Sequence, residues 1–114
     1  MSPLITAYTT GDVICTPHFR FIENPSEGNA RYLICIEDLH DSITVVPLTT
    51  QLHQQKHFPK SFVITKASIE GQLMDIPEDS LVIPEKSQTI KKLSMYKHGH
   101  CSDEMLDRLI SLCL

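Results

Sequence analysis

The sequence predicts a mainly β (β-rich α+β) domain, a small barrel or strongly curved sheet followed by one C-terminal helix. Three patterns carry this. Short β-branched and apolar runs recur at close spacing from residue 11 to residue 90. Two of them, 31–36 and 42–48, flank a polar turn and read as an antiparallel hairpin. After Ser102 the apolar residues change to helical spacing. With 114 residues the chain has room for one domain, 1–114.

The elements follow in order. Gly11-Asp12-Val13-Ile14-Cys15-Thr16 comes after a Thr-Thr-Gly turn and predicts the first strand, which continues extended through 17–22. Phe19 and Phe21 alternate with Arg20, as on a strand with one buried face. Residues 23–29 collect Asn, Pro, Ser and Gly and predict a polar, mobile loop. Arg31-Tyr32-Leu33-Ile34-Cys35-Ile36 is almost continuously apolar, the mark of a strand buried on both faces. Residues 37–41 turn, and Ser42-Ile43-Thr44-Val45-Val46-Pro47-Leu48 returns. Beyond the polar stretch 52–59, further strands are predicted at 61–64, at 79–83 (stopped by Pro84) and from 88–90, the last extended by 94–96. A helical turn is predicted over 66–70, before Gly71. Ser102 is a good N-cap, with Asp103 and Glu104 where the helix dipole favours negative charge. Met105, Leu106, Leu109, Ile110 and Cys113 form the stripe that faces the sheet.

Composition narrows the function classes. No apolar run reaches the roughly 18–20 residues of a membrane helix, so no membrane partner is expected. The first residues have neither a basic region nor a long apolar one, so the expected compartment is cytoplasmic. The four cysteines, 15, 35, 101 and 113, include no Cys-x-x-Cys pair and are expected as free thiols, with Cys15 and Cys35 in the core. The net charge of −4 weighs against a nucleic-acid substrate, although a site grips phosphate with local charge.

Histidine patterns predict no metal. His53 and His57 are four apart, but no glutamate follows His53 and Pro59 discourages a long helix. His98-Gly99-His100-Cys101 offers three ligand types, yet the glycine predicts a turn and no fourth ligand is evident. No cofactor is expected.

Several landmarks recur in a known order. Gly11-Asp12-Val13-Ile14 is followed by Pro17-His18-Phe19. Glu27-Gly28-Asn29-Ala30-Arg31 leads into the second strand, and Pro47-Leu48-Thr49-Thr50-Gln51 ends the third. Asp79-Ser80-Leu81-Val82, Glu85 and Thr89-Ile90 come later. In this order, over residues 11 to about 110, the chain resembles the MazF/PemK toxins of bacterial toxin–antitoxin pairs. It departs from them at Tyr32, where the family usually has proline, and at Lys86 and Gln88, where Gln and Arg are frequent.

The resemblance implies an SH3-like, partly open barrel, usually paired as a homodimer. The implied activity is a sequence-preferring, metal-independent endoribonuclease. Its substrate would be single-stranded RNA (mRNA), and a cognate antitoxin protein would neutralise it. Such cleavage uses the substrate's own 2′-hydroxyl, and so needs a proton acceptor, positive charge at the phosphate and a donor for the leaving 5′ oxygen. Arg31 is expected to supply the charge, Thr49 to position the phosphate or 2′-hydroxyl, and Glu27 to accept the proton. Thr50, Gln51, His18, Arg20, Glu85 and Lys86 are the expected RNA contacts. Because Arg31 opens one strand and Thr49 follows the end of the next, their meeting is expected to need the barrel's curvature. From the residues alone, Arg31 also reads as a solvated charge, Thr49 and Thr50 as strand-end β-formers, and Glu27 and Glu85 as ordinary surface acids. Two other functions stay open: a catalytically silent binding module of the same fold, and a gyrase-directed toxin resembling CcdB.

Overall fold

The structure, a computed structural model, describes residues 4–5, 9–21, 24–91 and 95–113, with side chains described over 9–15, 32–91 and 97–113. In chain order these form β1 (Leu4–Ile5), β2 (Asp12–Phe21), β3 (Asn24–Asp38), β4 (Ser42–Thr49), β5 (Phe62–Ile64), α1 (Ile69–Met74), β6 (Ser80–Val82), β7 (Gln88–Lys91), β8 (Met95–His100) and α2 (Asp103–Cys113). The strands run β1-β8-β2-β3-β4-β6-β5, every pairing antiparallel, with β7 also on β4.

β4 is the hub. It pairs with β3 from Leu33↔Pro47 to Asp38↔Ile43. Its first half also pairs with β7, while Leu48 and Thr49 pair with Val82 and Leu81 of β6. A strand that hands over from one partner to another in mid-course bends the sheet. The result is the expected mainly β architecture, a curled antiparallel half-barrel with a C-terminal helix.

The continuous apolar run of β3 is explained by burial on both faces. Ile34 and Ile36 join Val13, Val46, Met74 and Leu109 in one cluster; Leu33 and Cys35 join Ile14, Ile43 and Val45 in another. Each such aliphatic side chain contributes about 1.5–3 kcal/mol by leaving water. α2 covers the first cluster through fully buried Leu109, with Met105, Leu106, Ile110 and Cys113 half-buried beside it. Ser102 caps the helix as expected, its Oγ accepting the Met105 amide at 3.1 Å. The Glu70 carboxylate accepts the Ser102 amide at 2.8 Å and thereby ties α1 to α2.

Several local expectations are corrected. The segment expected as a mobile loop, 23–29, belongs to β3 from Asn24 onward, and Arg31 therefore lies within the strand rather than at its start. Pairing with β2 continues through Phe19↔Asn29 and Phe21↔Asn24 across two register shifts. Bulges of this kind let turn-forming residues remain in a ladder whose hydrogen bonds outweigh their weak β preference. α1 runs through Gly71 instead of stopping before it. A methyl group there would collide with the Thr65 carbonyl, so the glycine allows close packing; the helix ends at Asp75, which has left-handed geometry (φ 56°, ψ 43°). The expected turn at 98–100 is strand β8, and Gly99 again serves a close approach, here to the end of α1. Residues 95–96 begin β8 rather than extending β7, and 92–94 lie outside the described residues. Leu52–His57 forms a short 3-10 segment, as does Pro84–Lys86. No disulfide joins the four cysteines; Cys35 is buried as expected, whereas Cys15 is half-buried.

The Gly11-Asp12 pair is a structural clasp. Gly11 takes φ 95°, which only glycine adopts without strain, and a side chain there would stand 2.9 Å from the His100 ring. The buried Asp12 carboxylate accepts the Thr9 amide at 2.9 Å and meets Lys97 Nζ at 3.2 Å and His100 Nδ1 at 3.1 Å. Burial alone raises its pKa, but the Thr9 amide, His100 and Lys97 together outweigh that and lower it below 3.8. A carboxylate with a depressed folded pKa stabilises the fold fully above its unfolded pKa, and the stabilisation fades as pH falls through the folded one. Asp12→Asn is therefore expected to be less stable by about 1–2 kcal/mol at pH 7. The gap to wild type should close below about pH 3.8. Urea melts of both proteins from pH 7 to pH 2.5 measure it, and a gap that widens on acidification would refute the assignment.

Candidate functional site

β4 ends at Thr49, where the chain leaves β6 and bends at Thr50. The turn is held by the Thr49 side chain, whose Oγ1 accepts the Gln51 amide at 3.2 Å. This fixes the rotamer of a residue only 9% exposed. A hydroxyl that accepts one bond still has its proton to donate, so Thr49 is suited to hold an oxygen rather than to ionise.

The β3–β4 pairing gives Arg31 and Thr49 the same end of the hairpin. In an antiparallel hairpin the start of the first strand lies beside the end of the second. The described pairs of this ladder end at Leu33↔Pro47, two residues short of both Arg31 and Thr49. On its other edge Arg31 pairs with Thr16 of β2. Its side chain lies outside the described residues, as do those of Glu27, His18 and Arg20. Glu27 falls four residues before Arg31 in β3, roughly 13 Å of extended chain. His18 and Arg20 continue β2 into the stretch of shifted register beyond Thr16.

At this end of the ladder is a pocket of about 220 Å³, lined by Tyr32, Leu48, Thr49, Thr50, Glu78 and Ser80 among others. It combines an aromatic wall, an apolar floor and hydroxyl groups, with an exposed carboxylate at the rim. Tyr32 is half-buried, and its ring meets that of His98 edge-on, with centroids 4.8 Å apart and planes at 72°. His98 Nδ1 lies 3.9 Å from Asp75 Oδ2. Burial first, then Cys15 and Asp75, push the Tyr32 phenol above its usual pKa, so it stays neutral and does not repel an anion.

The pocket contains side chains that the sequence reading did not select. Tyr32 entered there as part of the apolar run 31–36 and as a departure from a family pattern, although strand alternation already groups it with Ile34 and Ile36. Glu78 comes from the segment between α1 and β6 and Ser80 opens β6, and only the β4–β6 pairing brings them to Thr49. In turn, Glu85 and Lys86 do not line this pocket. Glu85 Oε2 accepts the Lys60 amide at 2.6 Å, and Lys86 Nζ lies 5.5 Å from the Phe58 ring centre. Gln51 is exposed and bonded through its side chain to Gln54.

The histidine and cysteine groups diverge. His98 faces Asp75, His100 faces Asp12, and the Cys101 thiol is buried, with its pKa pushed up to about 11 chiefly by that burial. Among the described residues no three His, Cys, Asp or Glu side chains gather as metal ligands would. No described helix is long and apolar enough to cross a membrane. No protein-family model matches this chain, and no curated protein matches it.

Proposed function

We propose that this chain is a metal-independent endoribonuclease of the MazF/PemK kind that cleaves single-stranded RNA. The observation that carries the reading is the antiparallel β3–β4 pairing up to Leu33↔Pro47, whose open end is shared by Arg31 and Thr49, with a pocket beside Thr49. The guanidinium of Arg31 would grip two phosphate oxygens and offset the charge that develops in the transition state. Thr49 would donate its hydroxyl proton to a phosphate oxygen and hold the 2′ oxygen in line with the leaving group. The 2′ oxygen attacks phosphorus while its proton passes to a carboxylate. Among the described residues Glu78 is the carboxylate in the pocket, and Glu27 is the alternative from the sequence. The bond from phosphorus to the 5′ oxygen breaks, and that oxygen takes a proton, for which His18 is the candidate donor. The products would be a 2′,3′-cyclic phosphate and a free 5′-hydroxyl.

In this reading the chain acts in the cytoplasm as a homodimer and is silenced by a cognate antitoxin covering the RNA groove. The net charge of −4 and Tyr32 in place of proline favour the second reading, a silent binding module of the same fold. Purified protein is expected to cut single-stranded RNA equally well with and without EDTA and to leave cyclic-phosphate ends. RNA left intact under both conditions would replace the nuclease with the binding module.

A further inference from the structure

We infer that Tyr32 is a stacking platform for one nucleobase, with the pocket beside Thr49 as its base subsite. The inference rests on the RNA reading for its ligand, but its geometry is independent of cleavage. The pocket, about 220 Å³, is smaller than the roughly 300–1,000 Å³ of sites for drug-sized molecules. A single flat ring system suits it, and a base pair does not. Tyr32 supplies an aromatic wall that is half-buried and also packed against the core cluster, so its ring is held before any ligand arrives. His98 braces the ring edge-on at 4.8 Å, and Asp75, at the left-handed end of α1, lies 3.9 Å from His98. A platform fixed in advance loses little side-chain freedom when a base lands on it. The phenol stays protonated, because burial, Cys15 and Asp75 all raise its pKa, and so it adds no charge against the RNA backbone. The base would stack on Tyr32 with its edge toward the Thr50 hydroxyl, while the adjoining phosphate reaches Thr49. His98 is a positioning residue, acting through Tyr32.

The test uses a short 2′-O-methyl RNA containing 2-aminopurine, which lacks the attacking hydroxyl, and the full chain. Wild type is expected to bind it and quench its fluorescence, and Tyr32→Phe to do so within about twofold. Tyr32→Leu, which keeps apolar packing, should bind roughly 5- to 100-fold more weakly, with the quenching lost. His98→Ala should retain binding but reduce the quenching. An abasic version of the oligonucleotide should bind wild type as weakly as the intact one binds Tyr32→Leu, and this arm requires no folded variant. Equal affinity of wild type for intact and abasic chains, or full quenching by Tyr32→Leu, overturns the proposal. Tyr32-dependent quenching by a protein that leaves ordinary RNA uncut keeps the base subsite and removes the nuclease; cleavage without such quenching does the reverse.

Discussion

Arg31→Ala is expected to slow single-turnover RNA cleavage by about 10²–10³-fold, the usual effect of removing one preorganised donor to a transition-state oxyanion. The position follows from the ladder. Thr16 pairs with Arg31 on one side, and on the other the β3–β4 ladder ends at Leu33↔Pro47, close to the open end that Thr49 shares. The five donors of a guanidinium match phosphate oxygens in a way one ammonium cannot. Arg31→Lys should therefore recover only part of the rate. Alanine has adequate tolerance in a strand, so thermal melting should move by a few degrees at most. Cleavage by Arg31→Ala at the wild-type rate would dismiss this site, as would equal harm to cells from both proteins on induction.

Gly99→Ala is expected to lower stability by about 2–4 kcal/mol, the scale of forced overpacking against backbone. At roughly 4–8 °C per kcal/mol for a domain near this size, that is a large fall in melting temperature. The added methyl group would stand 2.5 Å from the Leu73 carbonyl oxygen and 2.6 Å from both the carbonyl carbon and oxygen of Met74. These are backbone atoms and cannot rotate away, so β8 and α1 must separate. Met74 is fully buried and Glu70 holds the cap of α2, which spreads the damage to both helices. The same separation draws Asp75 from His98, so residual folded protein should also lose the bracing of Tyr32. A melting point within about 2 °C of wild type would show that the helix and strand are not pressed together here.

Much of the fold was legible because it is encoded locally. The β-branched run of β4, the doubly apolar run of β3 and the Ser102 cap with its helical stripe each specify an element without help from distant residues. The errors fell where partners decide. Asn24 to Ala30 looks like a loop to propensity, yet β2 lies alongside and pairs with it at Asn29 and Asn24. Gly71 and Gly99 look like breaks, but each is there to admit a neighbouring backbone. The candidate site divides in the same way. Arg31 and Thr49 were expected from the family landmarks on consecutive strands, whereas Glu78, Ser80, Asp75 and His98 carry no local signal of a shared site.

By itself the sequence determined the class of fold, the β3–β4 hairpin, the capped terminal helix and one polar residue at each strand of that hairpin's open end. These depend on side-chain period, turn chemistry and capping, all of which act within a few residues. Only the tertiary structure decided that β4 is shared among β3, β6 and β7, and that a pocket with Tyr32 as its wall forms where it hands over. The physical reason is that such pairings match hydrogen-bond edges and buried faces between segments far apart in the chain, and no single segment contains that match.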